Sequence, residues 1–443
     1  MKHLGIDIGT TNICMLLADS DGKIIKTVTA PNTANIPSKP YEKLQNPDII
    51  VRTCLEMLDD FIGYSPDSIG IDGQMHGMLY VDENGNALSE LAIWMDSRGN
   101  LPYKNGTYAS CLSEITGCKM STGFGLTTHY YNVINNSVPQ KAKKICTIHD
   151  YLVMRLCSLN SPLMHTSDAA SFGCFDINSG KFMLDKLENA GIDTDILPDV
   201  TDEYKIAGYY KNIPVCVAIG DNQASFIGAG GNEKAALLNY GTGSQVSMIT
   251  DATVSTANAE LRPLGNGKNI MVGCSLCGGR AYSVLSHFFA DVIKQFTGQE
   301  CKDIYRTMDS LFDDKNDMKM STLFAGTRND PEKRGAISNI SEGNFTAANL
   351  VGSCIHGMCD EIYEYYGEMF VFRQNPLEYL IGSGNGIRKN LPLQKVIEET
   401  YGLPLKIPAN TEEAAFGAAL CGAVAAQIYP DLTTAIDNTV KYI

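Results

Sequence analysis

Two stretches of this chain, 232 residues apart, follow one plan. "LGIDIGTTNICML" near the start and "ALLNYGTGSQVSM" in the second half each run an apolar strand into a Gly-Thr turn and out along a second apolar strand. Gly9-Thr10 thereby aligns with Gly241-Thr242. Similarity at about half the chain length means either two related domains or two unrelated hairpins that share a turn. The chain has 443 residues, too many for one core, and the even division favours duplication. The boundary falls near Gly230-Gly231-Asn232, giving domains 1–231 and 232–443.

The N-terminal copy reads as a meander. "HLGIDIG" alternates Leu4, Ile6 and Ile8, "NICMLLAD" is a second strand, "SDG" is turn chemistry, and "KIIKTVTA" is a third strand. In "NPDIIVRTCLEMLDDFIGY" the residues Ile49, Ile50, Thr53, Cys54, Met57, Leu58 and Phe61 fall at helical spacing. "DSIGIDG" is then a short strand ending in a Gly turn. Strands alternating with helices make an α/β protein. "FDDKNDMKM", residues 312–320, is the most charged stretch and reads as a solvated loop or helix face. The tail "DLTTAIDNTVKYI" suits either a domain-crossing helix or a frayed end.

A hydrophobic fraction of 44% with 19% charged residues is that of a soluble globular protein. The net charge of −15 argues against broad nucleic-acid binding and against an anionic membrane surface. It does not exclude an anionic ligand, which backbone donors can hold in an acidic protein. Of 14 cysteines only Cys274 and Cys277 form a CxxC, without a second pair or a nearby His pair, which argues against zinc. Most of the others lie in apolar runs, as small core residues of a reducing compartment do. No basic-then-apolar leader opens the chain, and no apolar run approaches about 18 residues. A cytoplasmic protein is expected.

A Gly-Thr turn after a strand can present consecutive N–H groups to a phosphate, with its hydroxyls as further donors. Two such turns could hold a polyphosphate. Asp7 would then hold hydrated Mg²⁺, which favours one carboxylate plus waters and phosphate oxygens. The plainer alternative is a tight hairpin with a capping Asp. A third segment, "EYLIGSGNGIRKN", runs a strand into Gly382-Ser383-Gly384-Asn385-Gly386, where glycines allow a planar ligand or a ribose close to the backbone. No GxxxxGK[ST] and no protein-kinase signature occurs, so any nucleotide site is of another kind. "NTEEAAFGAALCGAV" is helical, and its small residues fit close packing against either another backbone or a ligand.

Polar groups also cluster at the ends of apolar strands, where α/β proteins build sites. "IDGQMHGM" places Gln74 and His76 on a Gly-bounded turn. "AIWMDSRG" places the only tryptophan, Trp94, near Asp96 and Arg98. "VAIGDNQAS" runs a strand into Asp221, Asn222 and Gln223. Together they suit a polyol, which needs several converging donors and acceptors. A carboxylate among them could take a hydroxyl proton as that oxygen attacks phosphorus.

The ordered set "GIDIGTTN", "GQMHG", "WMDSR", "GDNQAS", "NYGTGS", "GSGNG" and "EEAAFGAAL", from residue 5 to about 420, resembles the FGGY carbohydrate kinases of the actin-like ATPase superfamily. "STGFGLTTHYYN", "TIHDYLVMRLCSL" and "PLMHTSDAASFGCFD" resemble the sedoheptulokinase branch. Xylulose kinases share "GQMHG" but carry a Lys where this chain has His149. The resemblance implies an α/β protein of two ribonuclease H-like, actin-like ATPase domains facing each other across a catalytic cleft. It implies ATP and Mg²⁺ as cofactors and a ketose as small-molecule partner, and it is compatible with a homodimer. Position by position it implies Asp221 as catalytic base. Gln74, Met75, His76, Asp96 and Asn222 would line the sugar site, and Asp7 would sit near Mg²⁺. Thr10, Thr11, Gly241, Thr242 and Ser244 would serve the ATP phosphates, and Gly382, Gly384 and Asn385 would border the adenosine. Sedoheptulose is the best single substrate and xylulose or another pentulose the runner-up. The alternative from another class is an actin- or chaperone-type ATPase that changes shape without phosphorylating sugar. A sugar-binding pseudoenzyme is disfavoured by the presence of both Asp7 and Asp221.

Overall fold

The computed structural model describes residues 1–313, 315 and 317–443, so positions 314 and 316 of the charged 312–320 stretch lie outside the described residues. The chain forms two units. The first comprises Met1–Gly230, Arg262–Lys268 and Glu412–Lys441. The second comprises Gly231–Leu261, Asn269–Thr411 and Tyr442–Ile443.

The first unit is built on a meander followed by parallel strands. β1 (Lys2–Ile8) pairs antiparallel with β2 (Asn12–Asp19), and β2 with β3 (Ile24–Pro31). Helix α1 (Pro47–Ile62) follows, its first turn capped by the Asn46 side chain, which accepts from the Ile49 N–H. Its buried face is Ile50, Val51, Cys54, Met57, Leu58 and Phe61. Strand β4 (Ser68–Gly73) then lies parallel to β1. Helices α2 (Ile148–Cys157) and α3 (Thr166–Phe172) precede β5 (Ile206–Tyr210), β6 (Ile213–Cys216) and the short β7 (Ile219–Gly220). The sheet order is β5-β6-β4-β1-β2-β3, with β7 also on β4. Helix α4 (Asp221–Gly228) leaves directly from β7.

The second unit repeats the plan. β8 (Ala235–Tyr240) pairs antiparallel with β9 (Ser244–Thr250), and β9 with β10 (Lys268–Ser275). Helices α5 (Gly278–Thr297), α6 (Ile304–Leu311) and α7 (Ala347–Phe370) follow. β11 (Tyr379–Ser383) is parallel to β8, and β12 (Leu405–Lys406) is parallel to β11. In both units three antiparallel strands are extended, on the side of the first of them, by parallel strands. The units differ at the edges, where the first ends on β5, antiparallel to β6, and the second on an added strand, Ala259–Gly265, beside β10. The turns differ too: Ile8 pairs with Ile13, whereas Tyr240 pairs with Ser244, so the second turn is one residue shorter.

The small-residue helix α8 (Glu413–Ala425) belongs to the first unit by contact, whereas the sequence division had assigned it to the second. The cause is close approach. A Cβ on Gly5 would lie 1.7 Å from the Ala415 carbonyl oxygen, and one on Gly70 would lie 1.7 Å from that of Ala418. Of the two readings left open for its alanines and glycines, backbone packing is the one realised. The tail forms a helix, Leu432–Thr439, capped by the Asp431 side chain. No helix among the described residues is long and apolar enough to cross a membrane.

Candidate active site

In the first unit the three parallel strands β1, β4 and β7 end together. "GID" occurs at residues 5–7 and again at 70–72, and the pairing aligns the copies residue for residue: Gly5 with Gly70, Ile6 with Ile71, Asp7 with Asp72. Neighbours across a parallel pair point to one face, so the two carboxylates stand side by side. One strand further on, Gly73 pairs with Gly220, and Asp221 opens α4. Three carboxylates thus gather at the strand ends.

Their environment is hard on negative charge. Burial pushes the Asp7 carboxyl up to about 7, helped by the charge of Asp221. Burial, with the charge of Asp7 next, drives Asp72 well above the ordinary carboxylate range. Asp221 is raised to about 6, chiefly by burial; His149 pulls it back and Asp168 pushes it further up. Both Asp72 oxygens are buried without a hydrogen-bond donor. The group therefore calls for a cation, yet no set of three or more His, Cys, Asp or Glu among the described residues converges to hold one. Asp7, with Asp72 beside it, is the carboxylate that could hold Mg²⁺, an ion that takes few protein ligands and keeps water and phosphate oxygens.

The Gly9-Thr10-Thr11 turn is held from several sides. Thr10 Oγ1 donates to Gln74 Oε1 at 3.1 Å and accepts from Trp94 Nε1 at 3.0 Å. Gln74 Nε2 donates to Gln45 Oε1 at 2.9 Å, and Gln45 Nε2 donates to the Thr10 carbonyl at 2.9 Å. Gln74 is buried and spent on this frame, while Thr11 is exposed. Trp94 is 49% exposed, so its indole presents a face to solvent beside the turn. Its uniqueness in the chain marks it in the sequence, although it stands outside the expected site residues.

His76 takes a left-handed backbone, φ 71°. Its Nδ1 lies 2.8 Å from the Ser171 carbonyl, which fixes that nitrogen as the donor, and its ring stacks on Phe124 at 4.8 Å. A non-Gly residue in that conformation is uncommon and marks a held side chain. Met75 is buried beside it, with its sulfur against Gly220. Asn222 follows Asp221 in the first turn of α4. Asp96 is otherwise placed than expected for a sugar contact. It is fully buried and accepts from Arg98 N, Arg98 Nε, Arg98 Nη2 and Lys43 N at 2.8–3.1 Å, which fills its lone pairs. It orients Arg98, whose Nη1 donates to Asn132 Oδ1 at 3.0 Å.

The second unit carries a cavity of about 860 Å³, within the size range of ligand sites. Gly241, Thr242, Gly384 and Asn385 line it, together with Gly386. Gly384 needs its φ of +83°, and a Cβ there would meet the Tyr240 carbonyl oxygen at 2.7 Å. Two expected residues lie elsewhere. Gly382 is inside β11, where a Cβ would strike Ile407 and Ile387, so it serves core packing. Ser244 is buried in β9, paired with Tyr240 and Ser275. Other lining residues were not singled out from the sequence: Arg280 and Ser283 on α5, Tyr305 and Asp309 on α6, and Lys389. Tyr282 donates to Asp309 Oδ1 at 2.7 Å across one wall. Arg280 and Lys389 give this wall positive charge within an acidic chain.

Residues 2–239 match the N-terminal domain and residues 236–426 the C-terminal domain of the FGGY family of carbohydrate kinases. A sedoheptulokinase from Mus musculus is 26% identical, over 94% of this chain and 96% of its own length. A xylulose kinase from Staphylococcus xylosus is 22% identical, over 99% and 94%. The crystal structure of xylulose kinase from Rhodospirillum rubrum superposes with a TM-score of 0.84 at 18% identity, covering all of this chain and 93% of that one.

Proposed function

Because this chain belongs to the FGGY family of carbohydrate kinases, and is thereby an ATP-dependent sugar kinase, we propose that its acceptor is the primary hydroxyl of a ketose. The substrate we infer is sedoheptulose, giving sedoheptulose 7-phosphate. Family membership displaces the shape-changing ATPase without sugar chemistry. The observation that carries the mechanism is Asp221 at the junction of β7 and α4, half-buried at the strand ends where Asp7 and Asp72 also stand. A carboxyl raised to about 6 is ionised at neutral pH yet basic enough to accept a proton.

In this reading the sugar hydroxyl oxygen attacks the γ-phosphorus of ATP. Its proton passes to Asp221, and the bond from γ-phosphorus to the bridging oxygen breaks to release ADP. Met75, His76 and Asn222 line the sugar, with the exposed face of Trp94 as an apolar wall. Gln74 and Asp96 hold the frame behind them. Thr10 and Thr11 serve phosphate in the first unit, and Gly241 and Thr242 are the corresponding residues of the second unit's own cavity. Gly384 and Asn385 border the adenosine. Asp7, with Asp72 beside it, would hold Mg²⁺, which would supply neutralising charge for the phosphates.

Sedoheptulose is supported by the sedoheptulokinase relative and by the segments "STGFGLTTHYYN" and "PLMHTSDAASFGCFD". The second reading, a xylulose or other pentulose kinase, is supported by relatives of comparable coverage. ADP release with Mg-ATP, across sedoheptulose, D- and L-xylulose, D- and L-ribulose, fructose and glycerol, separates them. Strongest stimulation by sedoheptulose is expected. A pentulose with higher kcat/KM would install the second reading.

A further inference from the structure

Beneath the strand ends lies a charge pair that the reaction as described does not use. His149, second residue of α2, and Asp168, on α3, are both fully buried. His149 Nε2 is 3.1 Å from Asp168 Oδ1, a contact that becomes an ion pair when the ring is protonated. The imidazole sits under the strand ends themselves: a Cβ on Gly73 would lie 2.7 Å from His149 Nδ1 and 3.2 Å from Ile8 Cβ. Gly73 follows Asp72 and pairs with Ile8, which follows Asp7, and with Gly220, which precedes Asp221. From Asp168 the connection continues. Ser167 Oγ lies within hydrogen-bond reach of Asp168 Oδ2, at 3.2 Å, and of His165 Nδ1, at 2.9 Å, and it accepts the Gly220 N–H at 3.1 Å.

From this arrangement we propose that the His149–Asp168 pair is a positioning device for the base: it fixes Gly220, and so the first residue of α4, through Ser167, and it sets a buried imidazole facing the strand-end carboxylates. The inference rests on Asp221 being the base. The groups facing the imidazole are Asp168, Asp150, Asp221 and Asp7. Burial alone would lower the His149 pKa, but Asp168 and then Asp150 outweigh it and the net direction is upward, towards imidazolium. His165, next to Ser167, moves the other way through burial and stays neutral. Of the two buried imidazoles, His149 is the one whose surroundings favour the charged form. With it in place, Asp221 ionises more readily than burial alone would allow. A glycine at position 73 is required because any side chain there would displace the ring.

The test compares His149→Gln, His149→Lys and Asp221→Ala with the parent in the ADP-release assay, at each pH from 5 to 9, with thermal melts alongside. Misplacing a catalytic group by about 1 Å costs about 10²-fold, so His149→Gln should lower kcat roughly tenfold to a hundredfold while leaving KM for sugar and ATP within about threefold. Its acid limb should move to higher pH. His149→Lys, which keeps a cation, should recover kcat to within about threefold. It should also hold activity further into alkali than the parent. A folded His149→Gln protein with parental kcat and pH profile overturns the proposal. So does a folded His149→Lys protein whose kcat is as low as the Gln variant's or whose alkaline limb does not move; if His149→Gln does not fold, His149→Lys decides alone. An NMR titration of the His149 ring supplies a readout without turnover. Its midpoint should lie above about 6.5 in the parent and fall in Asp168→Asn; an unshifted midpoint refutes the pair. An active Asp221→Ala protein would sink the base assignment whatever His149 does, whereas an inactive one beside an unchanged His149→Gln sinks only this inference.

Discussion

The acid side of the pH profile gives the sharpest test of the base. Asp221 stands at about 6 instead of the ordinary 3.8. A shift of about two units is about 3 kcal/mol between its two protonation states. Burial at the β7–α4 junction supplies it, offset in part by His149 and by Arg262. A base must be ionised to accept a proton. At pH 7 about nine-tenths of the free protein would be competent, and at pH 5 about one-tenth, so kcat/KM should fall about tenfold per unit below pH 6. The assay is initial-rate ADP release at low sugar and saturating Mg-ATP, with the ion in excess so that Asp7 stays ionised. Asp221→Asn removes the titrating group and keeps the shape of the side chain. Its residual rate should be lower by about 10² to 10⁴ and flat between pH 5 and 7. A parental limb with its midpoint near 4 would mean that burial does not govern this carboxyl. A limb near 6 that persists in Asp221→Asn would assign it to another group.

Three further outcomes follow from separate parts of the structure. Gly70→Ala places a methyl 1.7 Å from the Ala418 carbonyl oxygen and must push α8 off the sheet; overpacking of this kind costs about 1–3 kcal/mol or more, read as a lowered Tm, and an unchanged melt would refute the packing argument. Gly384→Ala meets both a φ of +83° and the Tyr240 carbonyl oxygen at 2.7 Å, so the left-handed strain of about 1–2 kcal/mol should raise KM for ATP and leave KM for sugar near parental, whereas the reverse split would move the nucleotide away from this cavity. Stability without Mg²⁺ should fall as pH rises from about 4 to 7: Asp7 and Asp150 are both raised to about 7, so across that window the folded state binds more protons than the unfolded chain. The raised His149 acts in the same sense, since the stability it contributes is lost as pH rises through its folded pKa. Urea melts at pH 5.5 and 7.5 measure the slope; greater stability at 7.5 would contradict it.

What could be read from the sequence divides along a physical line. Strand–turn–strand patterns are local, so both hairpins, the capped helix at Pro47–Ile62 and the glycine loop around Gly384 were legible from alternation, helical spacing and turn chemistry. Pairings between distant segments were not. Asp72 lay inside a strand recognised for its apolar residues, and its importance appears only when Gly5-Ile6-Asp7 and Gly70-Ile71-Asp72 are set in register. The repeated "GID" is too weak a linear sign to act on without the pairing, since it occurs a third time at residues 191–193. Asp96 shows the converse. A carboxylate after the sole tryptophan invites a ligand role, but the Arg98 side chain two residues on, with the backbone of Arg98 and Lys43, takes up its lone pairs. Gly382 and Gly384 are two residues apart, yet one packs against Ile407 and the other opens a cavity, because Gly382 is still inside β11 whereas Gly384, at φ +83°, has left the strand.

The helix at Glu413–Ala425 carries the argument furthest. Its alanines and glycines look alike in sequence whether they face a ligand or a backbone, and only the partner glycines decide. Gly5, Gly70 and Gly228, spread across more than 200 residues of chain, each lack the Cβ that would hold this helix away. Two of the three precede a strand-end carboxylate by two residues, Gly5 before Asp7 and Gly70 before Asp72. The same short motif therefore does two jobs. Its glycine lets the helix close on the sheet, and its aspartate, two residues on, points the same way from a strand the helix has made rigid. Close packing at the glycines is thus a condition for placing the two carboxylates side by side. Rigid support of this kind is what a site needs if it is to hold a cation and a base at fixed separation.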